Sequence, residues 1–201
     1  MEMIIVKKCF ALVSIFLAVS LMLAPCAFAW KWTTHSKVVD AVYYSMPYDK
    51  KVKLNLAVMR DGSNDPDEKF HDTRCHGFPS SYTRASTWLS KGKSAYQSKN
   101  YRYASYCFGV ASHYISDTYS APHCVSGESS YYHTKYEAQA TYMTPKVSYT
   151  GGSLYSIMKS GSYKGKTDWN SWMRTKSRSY VQSDLNRGTS ASYMAIKNAM
   201  A

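Results

Sequence analysis

Acidic side chains are scarce in this sequence. Its 201 residues hold 13 Asp and Glu against 25 Lys and Arg, a formal net charge of +12 at pH 7. Such a balance favours anionic partners: phospholipid head groups, nucleic acid or phosphate esters. No block of like charge marks a nucleic-acid tail. Cysteine is scarce as well, with five in all, and Cys9 and Cys26 stand in the first 29 residues. Cys75, Cys107 and Cys124 remain, an odd number that leaves room for one disulfide and a free thiol but excludes a disulfide framework. No internal repeat and no sustained apolar/polar alternation are evident, which argues against a β-sandwich or barrel. The apolar stretch from Cys9 to Ala24 is shorter than the ~20 residues a membrane-spanning helix needs.

That stretch has a different reading. Lys7 and Lys8 precede it, and Ala27-Phe28-Ala29 follows as a small-x-small cleavage site. The order is that of a secretory signal peptide over residues 1–29, with the mature chain beginning at Trp30. A membrane anchor, or a lipoprotein modified at Cys26, are the alternatives. Export implies a secreted, extracellular or cell-envelope location. Loss of Lys7, Lys8 and Glu2 leaves a mature chain at +11. Residues 30–201 suit one domain with its own core.

What is present in abundance is helical pattern. Periodic apolar residues predict helices over 35–46, 49–59, 80–98, 100–119, 128–143, 167–185 and 190–201, with Pro47, Gly62 and Pro122 as stops. Residues 62–79 read as a polar loop, and 144–166, rich in Ser, Gly, Tyr and Lys, as a second loop or lid. The fold class expected is all-α, a single-domain helical bundle.

All six histidines fall after the leader: His35, His71, His76, His113, His123 and His133. A lone histidine on a helix is usually structural, but these are ordered. His113 and Asp117 stand at i, i+4 in HYISD, so one helix face presents imidazole beside carboxylate. His133 and Glu137 repeat the spacing in HTKYE, and His123 lies between the two pairs. Ordinary surface pairs would account for one such couple. Two couples on neighbouring helices with a histidine between them suit metal held in a bundle core, and imidazole with carboxylate suits zinc. Upstream, Asp61, Asp65 and Asp67 in RDGSNDPDEKFHDTRCH, with His71 and His76, offer a further carboxylate and imidazole, and spacing alone does not choose among them.

The ordered set resembles the zinc-dependent phospholipase C family and, more distantly, the single-strand-specific zinc nucleases of the same fold. It comprises Trp30, His35, the segment Gly62-Ser63-Asn64-Asp65-Pro66-Asp67, His76, His113 with Asp117, His123, and His133 with Glu137. The resemblance implies three zinc ions. One would take Asp67, His76, His113 and Asp117. A second would take His123, His133 and Glu137. A third would take the amino nitrogen and carbonyl oxygen of Trp30, with His35 and a bridging Asp117. Asp61 or Asp65 is the alternative to Asp67, and His71 to His76; the spacing between these two ligands is shorter here than is usual in the family. The Trp30 chelate would exist only after cleavage of the Ala29–Trp30 bond, which couples metal loading to export. An α-amino group, with a pKa near ~7.7–8.0, gives up its proton to a metal at modest cost.

The same resemblance implies a reaction: hydrolysis of a phosphodiester by zinc-activated water, with Asp67 as general base. The expected substrate is a glycerophospholipid, cleaved to diradylglycerol and a phosphorylated head group by a monomer in peripheral contact with the membrane surface. The sequence stops without an added lipid-binding β-domain, so loops and basic charge are expected to make that contact. A single-strand nuclease is the alternative within the reaction class; nucleases of this type usually carry Asp at the position of Glu137. A metal-stapled, non-catalytic surface module is the alternative outside it. Cys75 and Cys124, beside His76 and His123, are read as structural.

Overall fold

The structure is a computed structural model that describes residues 30–148 and 151–201. The proposed leader and its cleavage site lie outside the described residues. Eight α-helices, and no strand among the described residues, make up the fold, so the all-α expectation holds. They are α1 (Trp32–Ser45), α2 (Tyr48–Lys51), α3 (Leu56–Glu68), α4 (Ser80–Gln97), α5 (Tyr101–Asp117), α6 (Ser130–Ala140), α7 (Leu154–Thr175) and α8 (Arg178–Ala199). A 3₁₀ turn, Ala121–Cys124, links α5 to the segment before α6.

The centre is α5. Every residue from Cys107 to Asp117 is buried, because α3, α4, α8 and α1 all pack against it. A helix hidden on all sides needs small residues where its neighbours come close, and CFGVASHYISD supplies them. The closest approach is to α3. A Cβ on Gly109 would stand 2.1 Å from the Met59 carbonyl oxygen, and one on Gly62 would stand 2.4 Å from that of Tyr106. Two glycines therefore let two helix backbones touch, and this crossing sets the separation of the side chains one and two turns further on.

Gly62 is thus a packing residue and not a helix stop. The polar stretch after it continues α3 to Glu68, through Pro66, although proline cannot donate to the carbonyl one turn back. The expected helix over 49–59 is two elements: α2 ends at Lys51, and α3 starts afresh where the Asn55 side chain accepts from the Val58 amide. The expected loop over 144–166 is helical from Leu154, capped by Ser153 accepting from the Ser156 amide. The glycines there face a neighbour. A Cβ on Gly161 would strike the Tyr119 ring, and one on Gly165 would strike Cys124 Sγ, so α7 lies directly on the 3₁₀ turn. The break between the last two helices falls at Lys176, in the left-handed conformation at φ 56°, and not near residue 188.

On α1, His35 shares its buried face with Val38, Val39 and Val42. Those valines join Trp30, Phe108, Tyr136, Trp172, Leu185 and Ile196 in the main core. Each fully buried side chain of this size contributes roughly 1.5–3 kcal/mol. A second cluster, around Val110, Tyr114, Ile115 and Met158, fills the space between α5, α4 and α7. Imidazoles and carboxylates occupy the gap between the ends of α3, α5 and α6.

Candidate metal centre

Eight of the side chains singled out in the sequence meet in one continuous cluster. His35, His113 and Asp117 offer ligand atoms within 4.8 Å of one another, and so do Asp67, His76 and His113; His76, Asp117 and His123; and His123, His133 and Glu137. Shared members join these four groups into a chain running from α1 to α6. Asp117 is the hub. Its Oδ2 lies 2.6 Å from His76 Nδ1 and 3.1 Å from His113 Nε2, and its Oδ1 lies 3.4 Å from His35 Nε2. Asp67 Oδ1 stands 3.7 Å from His76 Nε2 and from His113 Nε2. At the other end, Glu137 Oε1 is 3.3 Å from His123 Nε2 and 3.2 Å from His133 Nε2.

The alternatives left open by the sequence are placed elsewhere. Asp65 accepts from Tyr106 Oη at 2.8 Å and from Lys69 Nζ at 3.1 Å, Asp61 is exposed, and His71 is exposed. The last turn of α3 turns Asp65 and Asp67 to different neighbours, since residues two apart on a helix do not share a face. The three cysteines are free thiols, and none is in the cluster. Cys124 is pressed against Gly165, and burial pushes its thiol up to about 12.

Four of the five clustered imidazoles are oriented from behind. His113 Nδ1 meets the Ser63 carbonyl at 2.9 Å, His35 Nδ1 meets Ser116 Oγ at 3.3 Å, and His133 Nδ1 meets Glu128 Oε1 at 3.1 Å. His76 Nε2 lies against the Asp72 carbonyl. Gly77 brings this loop onto the His123 carbonyl, where a Cβ would stand 2.7 Å away. Glu128 was not singled out by the sequence; a carboxylate five residues before a histidine, across a helix start, carries no periodic signal. Trp30 is fully buried beside Tyr136, and its indole donates to the Ser116 carbonyl at 3.2 Å, next to Asp117.

The electrostatics are those of a ligand set. Burial is the largest influence on His35 and His113 and lowers both, which favours the form with a lone pair to offer a cation. Burial works to raise Asp117, but His35, His113 and His76 outweigh it and hold the carboxyl well below the usual range. Glu137 is likewise lowered, the nearby His123 and His133 imidazoles outweighing the effect of burial. Asp67 goes the other way: burial, then the Asp117 charge, raise it to about 7. His35 Nε2, His113 Nε2, His123 Nε2 and Asp117 Oδ1 are buried without a hydrogen-bond partner. Buried polar atoms are rarely left so, and four of them converging from three elements fit a divalent cation.

A cleft of about 750 Å³ reaches the cluster at His123 and is walled by Glu128, Phe78, Tyr132, Lys166 and Trp169. Another cavity, of about 630 Å³, lies between α7 and α8 around Lys164 and Arg187 and touches none of the eight residues.

The model of one protein family, described as zinc dependent phospholipase C, matches residues 34–186. The chain belongs to the zinc-dependent phospholipase C family. The match covers six of the eight described α-helices in whole and α1 and α8 in part, and all eight clustered side chains fall within it. No curated protein matches the chain. Membership of this family makes the imidazole and carboxylate groups candidates to hold zinc, and Trp30 stands four residues before the matched segment.

Proposed function

We propose that the chain is an exported phosphodiester hydrolase with three zinc ions, and that it acts as a phospholipase C on glycerophospholipids. The observation that carries this reading is the continuous cluster of eight imidazoles and carboxylates, which a cleft reaches at His123. Asp67, His76, His113 and Asp117 would hold one ion. His123, His133 and Glu137 would hold a second. His35, Asp117 and the terminal amine and carbonyl of Trp30 would hold a third. Bound zinc supplies charge neutralisation at phosphate oxygens and a lowered pKa for water.

The chain's own residues do the rest. Asp117 and Glu137 stay anionic and balance the metal charge, while His35 and His113 offer lone pairs. Asp67 is the least buried carboxylate of the cluster, and it is the group that would draw the proton off the attacking water. Water oxygen bonds to phosphorus, the bond from phosphorus to the glycerol oxygen breaks, and the proton drawn off the water is returned to that oxygen. The Trp30 indole, anchored on Ser116, keeps the start of the mature chain beside Asp117 and supports the terminal chelate.

The test is metal analysis of protein whose N-terminus is established as Trp30, with hydrolysis of phosphatidylcholine and of single-stranded DNA measured side by side. Three zincs and chelator-sensitive lipid hydrolysis are expected. DNA hydrolysis without lipid hydrolysis would replace the phospholipase reading by the nuclease one. Metal bound only by the His123, His133 and Glu137 group, with neither activity, would leave a binding module. One extra residue before Trp30 is expected to lower zinc content to two; three zincs with full activity in that variant would defeat the terminal chelate.

A further inference from the structure

The cleft has a built rim on one side. On α7, Tyr155, Lys159, Ser162 and Lys166 follow at i, i+4, i+7 and i+11, so they form one line along the helix. Ser162 and Lys166 line the cleft together with His123. At the other end of the line, the Tyr155 ring meets Phe78 at 5.5 Å and Tyr82 at 5.2 Å between centroids, and Phe78 itself lines the cleft. Lys159 Nζ lies 5.8 Å from the Tyr155 ring centre. Tyr155 is 46% exposed, and neither Lys159 nor Lys166 takes part in an ion pair among the described residues.

We infer that this rim is the surface by which the protein docks on an anionic phospholipid bilayer. Tyr155 and Tyr82 would settle at head-group level, and Lys159 would lie against lipid phosphates. The inference rests on the phospholipase reading above and specifies the partner surface of that site. Three observations favour a bilayer. Rings with an apolar body and a polar tip are the side chains that partition into the membrane interface. The lysines are unpaired and the protein is strongly basic, so charge complementarity selects anionic lipid. Finally, the three rings pack edge-on, with interplanar angles of 61° for Phe78–Tyr155 and 82° for Tyr82–Tyr155, which is not the parallel array of open faces that stacked bases use. Docking in this pose turns the cleft mouth, a few residues along the same line of α7, onto the layer that contains the scissile phosphodiesters.

The test compares the zinc-loaded mature protein with a Tyr155→Ser, Lys159→Glu double variant. Co-sedimentation is measured with phosphatidylcholine vesicles, with and without phosphatidylglycerol. Hydrolysis of a short-chain phosphatidylcholine is measured below its micelle concentration, where no surface exists. The parent is expected to prefer the anionic vesicles, and the double variant to bind them roughly tenfold or more weakly, with monomer hydrolysis unchanged. Tyr48→Ser, which removes an exposed tyrosine from α2, is expected to leave vesicle binding intact. Equal binding by parent and double variant, or an equal loss in Tyr48→Ser, overturns the inference. A parent that binds vesicles through the rim but hydrolyses no monomeric lipid sinks the phospholipase reading and leaves the docking surface standing. No vesicle binding, with oligonucleotide binding that the double variant loses, overturns the bilayer as the partner.

Discussion

Glu128 and Asp184 show how one carboxylate can act at a distance from the chemistry. Glu128 Oε1 sits 3.1 Å from His133 Nδ1, so it fixes the tautomer that turns Nε2 toward Glu137. Partners of this kind, behind a ligating histidine, typically change metal affinity by about 10–100-fold. Glu128→Ala is expected to weaken zinc at the His123, His133 and Glu137 group by that factor in a chelator competition, while Glu128→Gln, whose amide oxygen still accepts, loses less. Equal affinity in parent and alanine variant would show that His133 is oriented by its helix alone. Asp184 is fully buried, accepts from Tyr136 Oη at 2.5 Å and touches Arg187, which also reaches Asp168 at 2.5 Å. Burial is the chief cause that lifts Asp184 to about 8, against the pull of Arg187. An unfolded Asp titrates near ~3.9, so folding takes up a proton between these values. The stability this group contributes is therefore complete below pH ~4 and is lost as pH rises toward about 8. The melting-temperature advantage of parent over Asp184→Asn should shrink steadily across that window; a difference independent of pH would show that Asp184 is ionised in the fold.

The crossing of α3 and α5 carries the element-scale argument. With Gly109 against the Met59 carbonyl and Gly62 against that of Tyr106, a single methyl has backbone, not a flexible side chain, in its way. Overpacking of this kind costs roughly 1–3 kcal/mol and more where nothing can yield. Gly109→Ala is expected to lower the denaturation midpoint by at least that equivalent and also to weaken zinc, because α3 carries Asp67 and the Ser63 carbonyl that orients His113. A stable variant with unaltered zinc affinity would show that the two helices can part without moving the site. The same crossing explains what the sequence concealed. His113 with Asp117 and His133 with Glu137 were legible because a turn of helix puts i and i+4 side by side whatever surrounds it. Gly62 read as a helix end, and Pro66 as part of the loop after it, because their use is tertiary: one makes room for another backbone, and the other is carried by packing that outweighs its missing donor. Residues 154–166 read as a loop for the same reason, since Gly161 and Gly165 look like breakers until Tyr119 and Cys124 are seen to fill the space. Glu128 escaped notice because its partner is brought to it by a chain reversal and not by a period.

Across the whole molecule, the eight clustered residues come from α1, α3, the loop before α4, α5, the 3₁₀ turn and α6, whereas α7 and α8 supply none. Metal would therefore tie together the segments between residues 35 and 137. The C-terminal hairpin is held instead by apolar packing of Trp172, Val181 and Leu185 and by the Asp168, Arg187, Asp184 and Tyr136 network. Stripping zinc would return His35 Nε2, His113 Nε2, His123 Nε2 and Asp117 Oδ1 to burial without partners, at about 1–3 kcal/mol for each such atom. In linkage form, a site held at about 100 times its Kd in free zinc adds ~2.7 kcal/mol. At about 2–4 °C per kcal/mol for a chain of this length, each site is then worth on the order of 5–10 °C. Chelation is expected to lower the melting temperature by at least that much, and added zinc to restore it. Hydrogen exchange should quicken first in α1, the 3₁₀ turn and α6, because their cross-links are the ones removed, while α8 keeps its protection. An unchanged melting temperature would mean that the paired imidazoles and carboxylates satisfy one another without metal. Equal loss of protection in α8 would mean that the hairpin has no stability of its own, and that the metal-tied segments and the apolar hairpin unfold as one cooperative unit.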